Sequence, residues 1–327
     1  MMGWRRVGRL HRVSTADRLH RSARMVRLTS VVASALVVLL LALSGCSAGA
    51  STTGGTTSLQ TLPKLTGTLK PGEFLWGEDA TGGAPYVFQD PEKLSSDIGF
   101  EVDIANAMAK LLGVKQQWVQ INWSDWPQDL AANQFDFFMN GLEISPDNQK
   151  DAVFSIPYYV YTEEIVVRAD TNASNIHSLT DLENKTVGTG TGYKAQEYLQ
   201  ADPKIATRTY DSVDTMFNDL ASGTLDALLL DAPIAQWYGA NDSQGRFKVV
   251  TNPDGSYLDL FPGYYGLGFN PKNPHTPQLL SLFNQVIREL LANGTLENIY
   301  KQWHLWNSAQ KCLSSQAANC PPVPKNP

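Results

Sequence analysis

Three acidic side chains stand just beyond runs of strand-forming residues, where an open α/β sheet holds its ligands. Asp79 follows "EFLWGE", Glu143 follows "FDFFMNGL", and Asp231 closes "LDALLLD". With Trp123, in "NWSDW", as a ring that could stack on a solute, they would make an acidic cleft suited to a cationic or polyhydroxylated small molecule. The loop "NGLEISPDN" also brings Asn140, Gly141 and Asn148. A fourth loop, "GTGTGYK", adds Gly192, Tyr193 and Lys194, whose backbone N–H groups at a helix start favour an anionic or polar group. Each residue also has a plainer reading. Trp123 could be packing between strand and helix, Lys194 a solvated cation, and Glu143 the partner of a nearby base; Asp147 and Lys150 read as solvated surface. No nucleophile–base constellation, P-loop or metal cluster stands out, so no cofactor is expected and no enzyme is indicated.

Positioning these loops requires alternating strands and helices. "EFLWGED" reads as a strand and "EVDIANAMAKLLG" as a helix with Ala105, Met108, Leu111 and Leu112 on one face, stopped by Gly113. "QQWVQIN" is a strand, "SDWPQDLAANQ" a helix and "FDFFMNGL" a strand. "EEIVVRA" opens a second series: "KTVGTGTG" strand, "YKAQEYLQAD" and "VDTMFNDLASGT" helices, "LDALLLDA" strand. Two helices, "TPQLLSLFNQVIRELLANG" and "TLENIYKQW", close the body. The pattern is α/β, and its length favours two lobes over one core.

The ends of the chain speak to compartment. Eight arginines from Arg5 to Arg27, against the single acid Asp17, precede the apolar run "VVASALVVLLLALSG". That run is short for a membrane span and suits a signal-peptide core, giving 1–45 as a leader, with Met25 an alternative start. Residues 46–66, mostly small and hydroxylated, read as a flexible tether with a reach of roughly 25 Å. The leader holds eight of the 26 basic and one of the 32 acidic residues, which leaves 18 against 31, a net charge near −13. Such a surface argues against nucleic acid, whose phosphates need a basic stripe. Cys312 and Cys320, in "CLSSQAANC", are expected to close a disulfide in an oxidising compartment.

"LSGC" resembles a bacterial lipobox, with Cys46 the lipidated residue. The body resembles the family 3 extracellular solute-binding proteins, the polar amino acid receptors of ABC importers. The resemblance rests on "GAPYVF", "GFEVDIANAMAKLLG" (Glu101 replacing the usual first Asp), "FSIPYY", "SLTDLENKTVGTGTG", "LASGTLDALLLDAP" and "LLANGTLENIYKQW" in that order. It implies a type II periplasmic-binding-protein-like fold: lobe 1 at 67–161 plus 266–306, lobe 2 at 162–265 with two hinge strands near "YTEEIV" and "YYGLGF", and a tail at 307–327. It also implies a lipoprotein monomer held to the membrane through Cys46, closing around a small polar ligand and delivering it to a permease and ATPase complex. In amino acid-binding members a Thr or Ser replaces Glu143, and an Arg at the Asn148 position forks onto the ligand carboxylate. Asp231 matches the Asp that pairs with the ligand ammonium, Trp123 the pocket floor, and Asp79 lies near a position that contacts the amino group. Two ligand models stay open: a cation or polyol in an acidic cleft, or an amino acid whose carboxylate is taken by Lys194 and the lobe-2 backbone. The second is the expectation, as an amino acid or amino acid-like amine. A dehydratase-like enzyme on the same fold, or a sensor that binds without transport, are the rival readings.

Overall fold

A computed structural model describes residues 62–94, 96–314, 320–323 and 325. The expected leader, Cys46 and most of the expected tether lie outside the described residues. The order of elements is β1 (Glu73–Glu78), β2 (Phe88–Gln89), β3 (Asp97–Ile98), α1 (Phe100–Leu112), β4 (Lys115–Gln120), α2 (Trp126–Ala131), β5 (Phe137–Phe138) and β6 (Val153–Phe154). The long strand β7 (Tyr159–Arg168) leads to β8 (Thr186–Gly190), α3 (Lys194–Gln200), β9 (Ala206–Tyr210), α4 (Val213–Ser222), β10 (Ala227–Asp231), α5 (Ala232–Asn241) and β11 (Phe247–Val249). The chain returns through β12 (Leu260–Tyr265) and β13 (Gly268–Phe269) and ends in α6 (Thr276–Ala292) and α7 (Thr295–Gln302).

These strands form two main sheets, with β2 and β3 a separate antiparallel pair. One has the order β4-β1-β5-β13-β6, the other β11-β7-β10-β8-β9 with β12 alongside β7. Parallel pairs (β1 with β4 and β5, β8 with β9 and β10) are covered by helices, as such sheets require. Over the first sheet, α1 packs on α6 and α7. The apolar side of α6 runs Leu279, Leu282, Phe283, Val286, Ile287 and Leu290, all buried at helical spacing. Burying a side chain such as Phe283 contributes roughly 1.5–3 kcal/mol. On α1, Ala105 and Met108 are buried as the periodicity predicts, while Leu111 and Leu112 are half-buried at its end.

Two strands join the sheets. β7 and β12 pair antiparallel, Tyr159 opposite Tyr265 and Tyr161 opposite Gly263. The Tyr265 ring stacks on Tyr161, with centroids 4.7 Å apart, and on Tyr159 at 5.7 Å. The result is a two-lobed α/β fold whose cleft faces this aromatic crossover.

Some elements differ from the sequence pattern. The run "FDFFMNGL" supplies strand only at Phe137–Phe138, because the Asp136 carboxylate takes the Leu69 and Leu75 N–H groups, both at 2.7 Å, and Gly141 turns the chain at φ 62°. The helix expected over "SDWPQDLAANQ" is α only from Trp126 to Ala131, with a 3₁₀ turn, Trp123–Asp125, before it. Helix α5 follows Asp231 directly, with Pro233 in its first turn where a missing N–H costs nothing.

Candidate functional site

The cleft is built from strand ends and the crossover. Glu143 follows β5, and its neighbours are tied to the end of β12: Ile144 N–H donates to Tyr264 O at 2.8 Å and Gly266 N–H to Leu142 O at 3.0 Å. Its side chain is buried, at 4% exposure, and accepts the Lys194 backbone N–H from the opposite lobe. Burial, then the Asp231 charge, raises its pKa to about 8, against the pull of backbone donors and the Lys194 charge. Asp231 ends β10 at 5% exposure. Its Oδ2 accepts the Tyr265 hydroxyl and, at 3.4 Å, the Tyr86 hydroxyl, while Oδ1 has no partner. Burial raises it to about 6, the two tyrosines holding it down. Behind both, Glu163 on β7 is fully buried with neither carboxyl oxygen partnered. Burial and the Asp231 and Glu143 charges hold it well above the carboxylate range.

A second acidic pair props the loop from below. Gly141 N–H donates to Glu101 Oε1 at 2.9 Å, which also accepts the Tyr158 hydroxyl. Asn140 Nδ2 donates to Glu78 Oε1 at 2.6 Å. Burial and the Glu101 charge raise Glu78 well above its usual range, and burial raises Glu101 to about 7. The second oxygen of each, Glu78 Oε2 and Glu101 Oε2, is buried without a partner.

Glycine matters at two places. Gly141, at φ 62°, lets the Tyr86 ring approach to 2.8 Å of where a Cβ would stand. Gly99, at φ 151°, allows the Tyr86 carbonyl to lie 1.8 Å from its own would-be Cβ, seating the Tyr86 segment on the start of α1. Tyr86 is thus fixed, with its hydroxyl 2.9 Å from that of Tyr265.

Of the ten candidate ligand-binding residues, Trp123, Asn140, Gly141, Glu143, Tyr193 and Asp231 line one cavity of about 20 Å³ between the lobes. That is room for about one water, so the cleft is closed. The other four lie outside its wall. Asp79 is spent on its own loop: Oδ1 accepts from Thr81 N–H, the Thr81 hydroxyl and Gln120, and Oδ2 from Trp123 N–H at 2.8 Å. Asn148 Nδ2 donates to the Glu143 carbonyl at 2.9 Å. Gly192 N–H donates to Gln196 Oε1 at 2.8 Å. The Lys194 ammonium pairs with Glu197 and sits 5.7 Å over the Tyr198 ring. Tyr86, Gly82 and Ile234 complete the wall, with Tyr265 and Glu163 behind it. Sequence reasoning passed over all five, although Tyr86 lies within "GAPYVF" and Glu163 within "YTEEIV".

Trp123 and Tyr193 meet edge to face, centroids 5.8 Å apart, and divide this cavity from an outer one of about 330 Å³ that reaches Asp79 and Asp211. The largest cavities, about 560 Å³, are open grooves elsewhere and hold none of the candidate ligand-binding residues. Among the described residues no group of three or more His, Cys, Asp or Glu could hold a metal ion. In the tail, Cys312 and Cys320 are disulfide-bonded, Cα atoms 5.5 Å apart.

With this geometry in place, comparison with known proteins is direct. The L-cystine-binding protein TcyJ of Escherichia coli (strain K12) is 30% identical over 223 residues, 67% of this chain and 78% of its own. The ABC transporter arginine-binding protein 1 of the same organism is 27% identical over 210 residues, 63% of this chain and 81% of its own. An ancestral arginine-binding protein bound to arginine superposes with a TM-score of 0.62 at 27% identity, over 71% of this chain and 98% of that one. The model of the bacterial extracellular solute-binding proteins, family 3, matches residues 79–305, from the loop after β1 to just past α7. All the elements from β2 to α7 fall within that match, and the chain belongs to this family.

Proposed function

We propose that this protein is the receptor of an ABC importer and captures an amino acid or amino acid-like amine by closing its lobes. Its relatives are amino acid-binding proteins of ABC transporters, extracytoplasmic by family. One observation carries the reading: Asp231 lines the interlobe cavity, and its Oδ1 is buried without a donor. A carboxylate left so is costly unless a cation or a donor arrives. An ammonium group supplies both, and it binds only when the lobes bring Asp231 against Tyr86 of the first lobe. Closure then presents the loaded form to a permease. Lobe 1 is read as 67–161 plus 266–306 and lobe 2 as 162–265. Lipidation at Cys46 would hold the receptor at the membrane surface, and the relatives support a binding protein rather than an enzyme.

The test is a thermal-shift screen against amino acids, polyamines, betaines and sugars, with Asp231→Asn beside the native chain. A ligand at about 100 times its Kd adds about 2.7 kcal/mol, a shift of several degrees. Amine-bearing hits that vanish in Asp231→Asn support the reading; sugar hits indifferent to that change would refute it. Retention of a Cys46→Ser chain at the membrane would remove the lipid anchor from the account.

A further inference from the structure

We infer that the solute seated here is an organic cation with no carboxylate, an amine or guanidine rather than an amino acid, and that Glu143 occupies the place a ligand carboxylate would need. The inference rests on the reading of Asp231 as the amine seat, and it reverses the expectation of an amino acid.

It follows from an account of donors and acceptors around the cavity. The wall holds two carboxylates, Glu143 and Asp231, and no Lys, Arg or His. The lysines near the cleft are ion-paired outside it, Lys194 with Glu197 and Lys150 with Asp147. Backbone donors are also taken. Gly141 N–H goes to Glu101, Gly192 N–H to Gln196, Trp123 N–H to Asp79, and Lys194 N–H to Glu143 itself. What remains to donate is neutral, the Trp123 indole, the Tyr193 hydroxyl and, while it keeps its proton, the Glu143 carboxyl. Acceptors, by contrast, are in surplus: Asp231 Oδ1 is unpartnered in the cavity, with the Glu163 carboxyl behind it. A ligand carboxylate would enter a dry cleft beside the Asp231 carboxylate, with Glu143 filling the space opposite and no cation in the cavity wall to offset the charge, a costly arrangement. A donor-rich cation meets what the site lacks, and Trp123 offers it an aromatic face.

Matched pairs that differ only by a carboxylate test this: putrescine against ornithine, cadaverine against lysine, agmatine against arginine. Titration calorimetry would use the full chain in nonionic detergent, with Glu143→Gln and Asp231→Asn beside it. The expected result at about pH 8.5, where Glu143 is ionised, is that the decarboxylated member of at least one pair binds roughly tenfold tighter or more, and that Glu143→Gln narrows the gap. Glutamine keeps the shape of the protonated acid, so this variant is expected to fold. Equal or tighter binding of the amino acids, lost in Asp231→Asn, overturns the inference and leaves the amine seat standing. A gap unchanged in Glu143→Gln overturns the part assigned to Glu143. No binding of either member of any pair overturns both the inference and the reading beneath it.

Discussion

Glu143 faces Asp231 from β10, Glu163 from β7 and Lys194 from α3, and burial outweighs the lysine. Its pKa of about 8, with Asp231 at about 6 and Glu101 at about 7, sets a pH dependence of stability. In the unfolded chain these groups lose their protons near pH 4 to 4.5. Between there and about pH 8 the folded protein holds protons that the unfolded chain has released, so stability is present at low pH and lost as pH rises through the folded values. The ligand-free melting temperature should therefore fall between about pH 5.5 and 8.5, less steeply in Glu143→Gln. An amine ligand should add more stabilisation at the upper end, where its carboxylate partners are ionised. A flat or rising ligand-free profile would contradict the buried, neutral Glu143. Tyr265 acts on the neighbouring carboxylate. Tyr265→Phe removes its hydroxyl from Asp231 Oδ2 and leaves Tyr86 as the remaining tyrosine donor, at 3.4 Å. Losing a hydrogen bond to a charged group costs about 1.5–3 kcal/mol. Amine affinity should drop accordingly, with its pH midpoint displaced upward, because Tyr265 is the main group holding Asp231 down.

At the scale of elements, the loop from Asn140 to Glu143 matters more than its length suggests. Gly141→Ala would place a methyl 2.8 Å from the Tyr86 ring on a backbone at φ 62°. The strain, about 1–2 kcal/mol, falls on the contact that aims Tyr86 at Asp231. Ligand affinity and melting temperature should both fall; a variant with native values would mean the loop relaxes freely. This loop also marks how far the sequence could be read. Long, periodic elements such as α1, α4, α6, β1 and β10 announce themselves, and Asp231 and Glu143 follow from standing just past strands. Helix α5 does not, because "APIAQWYGAN" is apolar around its start and shows no stripe. Strand β9, "ATRTY", has no buried residue to give it an alternation. Tyr265 and Glu163 were hidden for another reason. They belong to the crossover strands, and only the pairing of β7 with β12 and β10 brings them beneath the cleft. Asp79 was legible as a strand-end acid, yet spacing could not show that its oxygens serve Thr81, Gln120 and Trp123.

For the whole molecule, closure draws on contacts outside the cleft. Phe88 on β2 and Trp303 just past α7 belong to the first lobe, and Trp237 on α5 to the second. Their rings form one cluster, with Trp237 at 5.4 Å from Phe88 and 5.5 Å from Trp303, and Phe88 at 6.0 Å from Trp303. Asp103 Oδ2 fixes the Trp303 indole at 2.8 Å. Trp237 meets the other two rings only when the lobes are together, and each aromatic pair contributes about 0.5–1.5 kcal/mol beyond its buried area. On the proposed reading, the cluster therefore favours lobe closure without touching the solute. Trp237→Ala should raise the open fraction of the ligand-free protein and weaken every ligand by the same factor, on the order of 5- to 30-fold for 1–2 kcal/mol. Small-angle scattering should show a larger radius of gyration without ligand, returning to the closed value at saturation. The ratio between paired amines and amino acids should not move, because the proposed reading puts specificity at Glu143 and Asp231 and leaves the clasp to set only how often the cleft is shut. An unchanged affinity and radius would mean that the lobes are held by the cleft and crossover alone.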